Sequence, residues 1–222
     1  MCAVETEDIS VSVGGRLWQL KRAGNLEDLW ENMLNDPHDF EDERLPYWTE
    51  LWPSGVALAR WLATRKKQIA NQRCLDLGCG LGFAALVGQW LGARVVAVDY
   101  EEDALCFAAQ NARINQVTQP LWTVMDWRRP AVRFQSMNCI WGGDIMYEKR
   151  FVAPVLRFLW HALAPRGVVW LAEPGRGIYD AFLRACHNEG WQKQCVCTES
   201  VESFHAQAGP ATVKIWELQK YE

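Results

Sequence analysis

The sequence predicts a doubly wound α/β domain built on a Rossmann-like sheet of about seven strands, and three observations carry that expectation. Residues Cys74-Leu75-Asp76-Leu77-Gly78-Cys79-Gly80-Leu81-Gly82 run from a short apolar stretch through three glycines at alternate positions into the helix-forming residues 83–91. That is the pattern of a strand turning sharply into a helix, whose N-terminus offers unpaired N–H groups. Short apolar runs and helical patterns then alternate along the chain, as a parallel sheet with crossover helices requires. Finally, successive apolar runs end in acids, at Asp99, Asp126, Asp144 and Glu173, where the ligand crevice of such a sheet lies.

Taken in order, residues 9–13 and 16–20 alternate around Gly14-Gly15 and predict a β-hairpin. Leu26, Leu29, Trp30 and Met33 share one helical face, in a helix that ends at Asp36-Pro37, and a charged link over 39–44 follows. We therefore expect residues 1–45 to form a hairpin-and-helix extension and 46–222 to form one structural unit; 222 residues suffice for one well-cored domain. The segment Pro46-Tyr47-Trp48-Thr49-Glu50-Leu51-Trp52-Pro53 precedes a helix over 56–64, with Ser54 placed to cap it. This aromatic segment suits either a wall of a pocket or a plug under the first helix. After the strand over 94–99, a helix over 101–114 carries Ala104, Leu105, Ala108, Ala109 and Ala112 on its core face. Strands over 120–124 and 137–143 follow. A helix over 151–164, a turn at Pro165-Arg166-Gly167, a strand over 168–172, a helix over 179–188 and strands over 192–197 and 212–218 complete the chain.

The glycine turn selects a cofactor by its spacing. Gly78-x-Gly80-x-Gly82 departs from the dinucleotide pattern G-x-G-x-x-G, and Asp76 beside it would repel a pyrophosphate. S-adenosylmethionine carries no phosphate but has an α-amino group and a sulfonium, so a carboxylate suits it. Gly78, Cys79, Gly80, Gly82 and Asp76 are thus expected around it. Asp99, 99 − 82 = 17 residues beyond the last glycine, is expected to accept from both ribose hydroxyls. Asp126 can accept from the adenine amino group and Trp127 can cover the ring.

Composition narrows the function further. A net charge of −4 argues against a general nucleic-acid binder, and no run of about 18 apolar residues predicts a membrane span. The acidic N-terminus lacks the regions of an export signal, and eight cysteines without such a signal read as reduced thiols in the cytoplasm. Cys195-x-Cys197 has no second pair at zinc spacing, so no metal is expected.

Asp144-Ile145-Met146-Tyr147 resembles the Asp-x-x-Tyr motif that marks a group of seven-β-strand protein lysine methyltransferases, and Pro46-Tyr47-Trp48 with Leu51-Trp52-Pro53-Ser54-Gly55, Leu75-Asp76-Leu77-Gly78-Cys79-Gly80, Asp126-Trp127 and Glu173-Pro174-Gly175-Arg176 narrow the resemblance. Within that group, the chain looks most like the branch acting on the β-subunit of electron transfer flavoprotein. The resemblance implies that Trp52 and the Gly78–Gly80 backbone contact the methionine part of S-adenosylmethionine. It implies that Gly143 edges the methyl-transfer channel, that Asp144 and Tyr147 face the incoming amine, and that the partner is a protein bearing the target lysine. A small-molecule N- or O-methyltransferase, or a cofactor-binding protein without catalysis, are the competing readings.

Overall fold

The computed structural model describes residues 6–24, 47–204 and 209–221. The helix expected around Leu26 to Met33, and Pro46, lie outside the described residues. Strands β1 (Thr6–Val13) and β2 (Arg16–Ala23) pair antiparallel around Gly14-Gly15, as the alternation requires. The main sheet contains β3 (Arg73–Leu77), β4 (Arg94–Asp99), β5 (Leu121–Val124), β6 (Met137–Gly143), β7 (Leu163–Glu173), β8 (Trp191–Val201) and β9 (Ala211–Lys220). Their spatial order is β5-β4-β3-β6-β7-β9-β8. The first five run parallel, and β9 enters antiparallel between β7 and β8.

Helices α1 (Pro53–Thr64), α2 (Lys66–Ile69), α3 (Phe83–Trp90), α4 (Glu102–Ile114), α5 (Val152–Ala162) and α6 (Ile178–Asn188) complete the described elements, with 3-10 turns at Tyr47–Thr49 and Lys149–Phe151. Covering both faces buries the central parallel strands on both sides: four of the five β3 residues are buried, Asp76 among them, and β6 is apolar apart from Asn138. One core cluster joins α1, α3 and the hairpin through Trp18, Leu58, Leu86 and Trp141. The other gathers Leu75, Ile140, Leu159 and Phe182 beneath α5 and α6. The order reverses between β3 and β6, so the crevice opens at their carboxyl ends.

Two asparagines fasten the hairpin to this framework. Asn115 accepts from Gln19 N at 3.0 Å and donates to Gln19 O at 2.6 Å; Asn111 does the same with Lys21, at 2.7 and 3.2 Å. Two side-chain amides, one on α4 and one at its C-cap, thereby satisfy alternate backbone groups of β2 much as a neighbouring strand would. Asn111 also donates to Leu81 O at 3.1 Å, which ties the hairpin to the glycine turn.

Two local expectations are corrected. Ser54 caps nothing: α1 begins at Pro53 with Trp52 at its N-cap, and the buried Ser54 hydroxyl has no partner among the described residues. Proline's fixed φ and missing N–H suit the first helical position, which moves the start three residues ahead of the expected helix over 56–64. The expected turn at Pro165-Arg166-Gly167 lies inside a strand. The α5 helix stops at Ala162, Met137 pairs with Leu163, and Cys139 pairs with Val168, so the intervening residues bulge outward with Arg166 at φ +59°.

Candidate active site

The cavity sits where β3, β4 and β6 end. Its floor is the glycine turn. Gly78 has φ +67°, and a Cβ there would lie 2.9 Å from Ile145 Cγ2, so both conformation and space require glycine. Gly78, Cys79 and Gly80 line the cavity. Gly82 does not, contrary to expectation: it has φ +81°, and a Cβ there would stand 2.7 Å from the Ala108 Cβ of α4. Its role is close packing between turn and helix, because Ala108 and the Trp122 ring fill the space that a side chain would need.

Asp99 ends β4 against this turn. Its Oδ2 accepts from Gly80 N at 2.8 Å and its Oδ1 from Glu101 N at 3.1 Å. Burial raises its carboxyl above its ordinary value, and those amides oppose the shift. The Tyr100 amide opposes it as well, and a carboxylate's capacity for about four hydrogen bonds leaves room for a ligand hydroxyl. Asp76 is more deeply buried, at 2% exposure, and its Oδ2 has no hydrogen-bond partner among the described residues. Burial pushes its carboxyl up to about 7, although the Trp141 indole and the Ala85 amide favour the charged form.

That shift has a consequence for stability. Because the folded-state value exceeds the ordinary 3.8, folding favours the protonated carboxyl. The stabilisation is fully present below about pH 4 and is lost as pH rises through about 7. Asp76→Asn should therefore reduce the fall in urea midpoint across this interval. A variant whose midpoint falls as steeply as the parent's would assign the dependence to other groups.

An aromatic wall faces the turn. Trp52 and Tyr47 have ring centroids 6.1 Å apart, Tyr47 and Tyr147 5.1 Å, Tyr147 and Phe151 5.1 Å, and Phe151 and Trp127 5.2 Å. All five line the cavity, and the Trp52 indole donates to Tyr47 O at 2.7 Å, which sets its orientation. The aromatic segment, Tyr47 included, therefore forms pocket wall, and Phe151 joins it from beyond β6 with no local signal in the sequence. Gly143 lies where β6 meets α1: a Cβ there would be 3.2 Å from Gly55 N.

The acids at the rim are not bare. Asp126 accepts from Arg128 Nε at 3.0 Å through Oδ1 and 2.8 Å through Oδ2, and also from Arg128 N at 2.8 Å. Asp144, in a left-handed conformation at φ +55°, receives Arg176 Nε on Oδ1 at 2.6 Å and Nη2 on Oδ2 at 2.7 Å. Burial raises the Asp144 carboxyl and Arg176 pulls it back; Asp144 in turn raises the guanidinium. Burial also holds the half-buried Tyr147 phenol well above its ordinary value, so it is neutral. Arg176 belongs to the Glu173–Arg176 motif, yet no local signal in the sequence pairs it with an acid 32 residues away.

The profile of a family described as lysine methyltransferase matches residues 40–183. The electron transfer flavoprotein beta subunit lysine methyltransferase of Danio rerio is 31% identical over 137 residues, covering 61% of this chain and 52% of that protein. Its Homo sapiens counterpart is 34% identical over 149 residues, covering 66% and 54%. The chain thus spans about half the length of these curated relatives. Among solved structures, magnesium protoporphyrin IX methyltransferase from Synechocystis, crystallised with bound S-adenosylmethionine, aligns with a TM-score of 0.58 at 16% identity, covering 87% of this chain and 90% of that one.

Proposed function

Because the chain belongs to the lysine methyltransferase family, we propose that it transfers a methyl group from S-adenosylmethionine to the ε-amine of a lysine in a protein substrate. The observation that carries this reading is the joining of Asp144 and Tyr147 to the glycine turn and Asp99 across one cavity. The orphaned Asp76 Oδ2 supports the cofactor, since a buried carboxylate oxygen without a donor fits an α-ammonium group.

In this proposal Asp76 and the Gly78–Gly80 backbone hold the methionine part, Asp99 the ribose, and Asp126 and Trp127 the adenine. Gly82 acts only by packing. Gly143 leaves room at the channel edge, and Trp52 closes the wall. S-adenosylmethionine supplies a methyl group already activated by its sulfonium. The chain's residues therefore need to orient an uncharged amine along the line of attack, and no strong base is needed. Asp144 would accept a hydrogen bond from the amine. Tyr147 would present its ring to the cationic product.

The electron transfer flavoprotein β-subunit named by the relatives is the first acceptor to test. Incubating the protein with that subunit, and separately with a cell lysate, in labelled S-adenosylmethionine should label a protein at lysine. Label found only in the small-molecule fraction would instead favour the small-molecule reading.

A further inference from the structure

We propose that Arg176 is a positioning residue of the transfer, closing an ion pair on Asp144 so that the acceptor lysine is received as a free amine instead of an ammonium. This rests on the lysine methyltransferase reading above and adds a residue to it. Three observations support it.

The first is geometry. The guanidinium grips both Asp144 oxygens, at 2.6 and 2.7 Å, in the two-pronged arrangement that fixes a carboxylate in one orientation. The second is burial. The Asp144 side chain is 5% exposed while that of Arg176 is 38% exposed, so the arginine approaches from the open side of the acid. Each carboxylate oxygen still has a lone pair to accept one N–H from a neutral amine. The third is the balance of charge around the pair. Glu173, at the end of β7, has its oxygens engaged by Gly175 N and Trp216 Nε1, at 2.5 and 3.4 Å. Arg150 is paired with Glu148 at 2.6 Å. Tyr147, beyond β6, and Tyr179, on α6, are held neutral by burial. Tyr47 on its 3-10 turn and Asp99 at the end of β4 complete the facing groups.

A bare buried carboxylate would bind the ε-ammonium tightly and keep its proton on, and that form has no lone pair with which to attack. The guanidinium cancels this attraction and repels a second cation, which lowers the pH at which the bound nitrogen is uncharged. The ammonium gives its proton to water as it docks. The amine nitrogen then uses its lone pair to form the new bond to carbon, displacing a neutral thioether, and the resulting ammonium can return its surplus proton to water.

The test is the pH dependence of kcat, at saturating acceptor and cofactor, for the parent, Arg176→Gln and Arg176→Lys. Gln keeps hydrogen-bond donors but no charge; Lys keeps the charge without the fork. Arg176→Gln should be about tenfold slower near neutral pH, with its half-maximal pH moved up by about one unit and the deficit closing at high pH. Arg176→Lys should keep a half-maximal pH near the parent's with a lower rate throughout. Cofactor affinity should stay within about twofold in both, since neither change touches the glycine turn. A Gln profile that matches the parent's after scaling overturns the proposal and leaves Arg176 a structural prop. If the Gln variant does not fold, the Lys variant decides, because an upward shift with the charge retained would also overturn it. A parent that methylates no protein lysine brings down the functional reading itself, and is recognised by the missing parental profile.

Discussion

Asp144→Asn should reduce methyl transfer by about a hundredfold or more while leaving S-adenosylmethionine affinity within about threefold. Asparagine preserves the shape of the side chain and tolerates the left-handed conformation at φ +55°, so the backbone at the end of β6 has no reason to move. What is lost is the charged acceptor that orients the amine and the partner of Arg176. The released guanidinium is 38% exposed and can turn to water, so the cost to folding is small compared with stranding a buried acid. Rates at saturating acceptor, set beside calorimetric affinity for the cofactor, separate the two effects. A variant that transfers at the parental rate would remove Asp144 from the chemistry.

Asp99→Ala should weaken S-adenosylmethionine by about 1–3 kcal/mol, roughly five- to 150-fold in affinity. The carboxylate does two things at once: it offers lone pairs to a ligand, and it holds the glycine turn through Gly80 N and Glu101 N. Asp99→Asn keeps one acceptor oxygen for these amides and should fall between parent and Ala. Calorimetry reads the difference, and unchanged affinity in the Ala variant would take the ribose contact away from Asp99.

The framework was legible because a parallel sheet leaves a strong imprint on sequence. Strands buried on both faces, such as Val95–Val98 and Cys139–Trp141, show up as apolar runs, and each hands an acid or glycine to the same edge. The Gly14-Gly15 hairpin was legible for an equally local reason. Features set by distant neighbours were not. Pro165-Arg166-Gly167 has the composition of a turn, and only the pairing of Met137 with Leu163 shows that the strand starts before it. Gly82 shares the spacing of Gly78 and Gly80, yet Ala108 and Trp122, not the cavity, decide its use. Asn111 and Asn115 read as ordinary polar positions of a helix until β2 lies against them. In the site, residue types at strand ends were readable, whereas the pairing of Asp144 with Arg176, 32 residues away, depends on where the loop after β7 returns.

The most direct test of the central claim is tandem mass spectrometry of the acceptor protein after reaction with S-adenosylmethionine carrying a deuterated methyl group, with the parent and Asp144→Asn run side by side. The account predicts deuterated methyl on a lysine ε-amine with the parent and about a hundredfold less with the variant. Label on another residue type, or equal lysine label from both proteins, would contradict it.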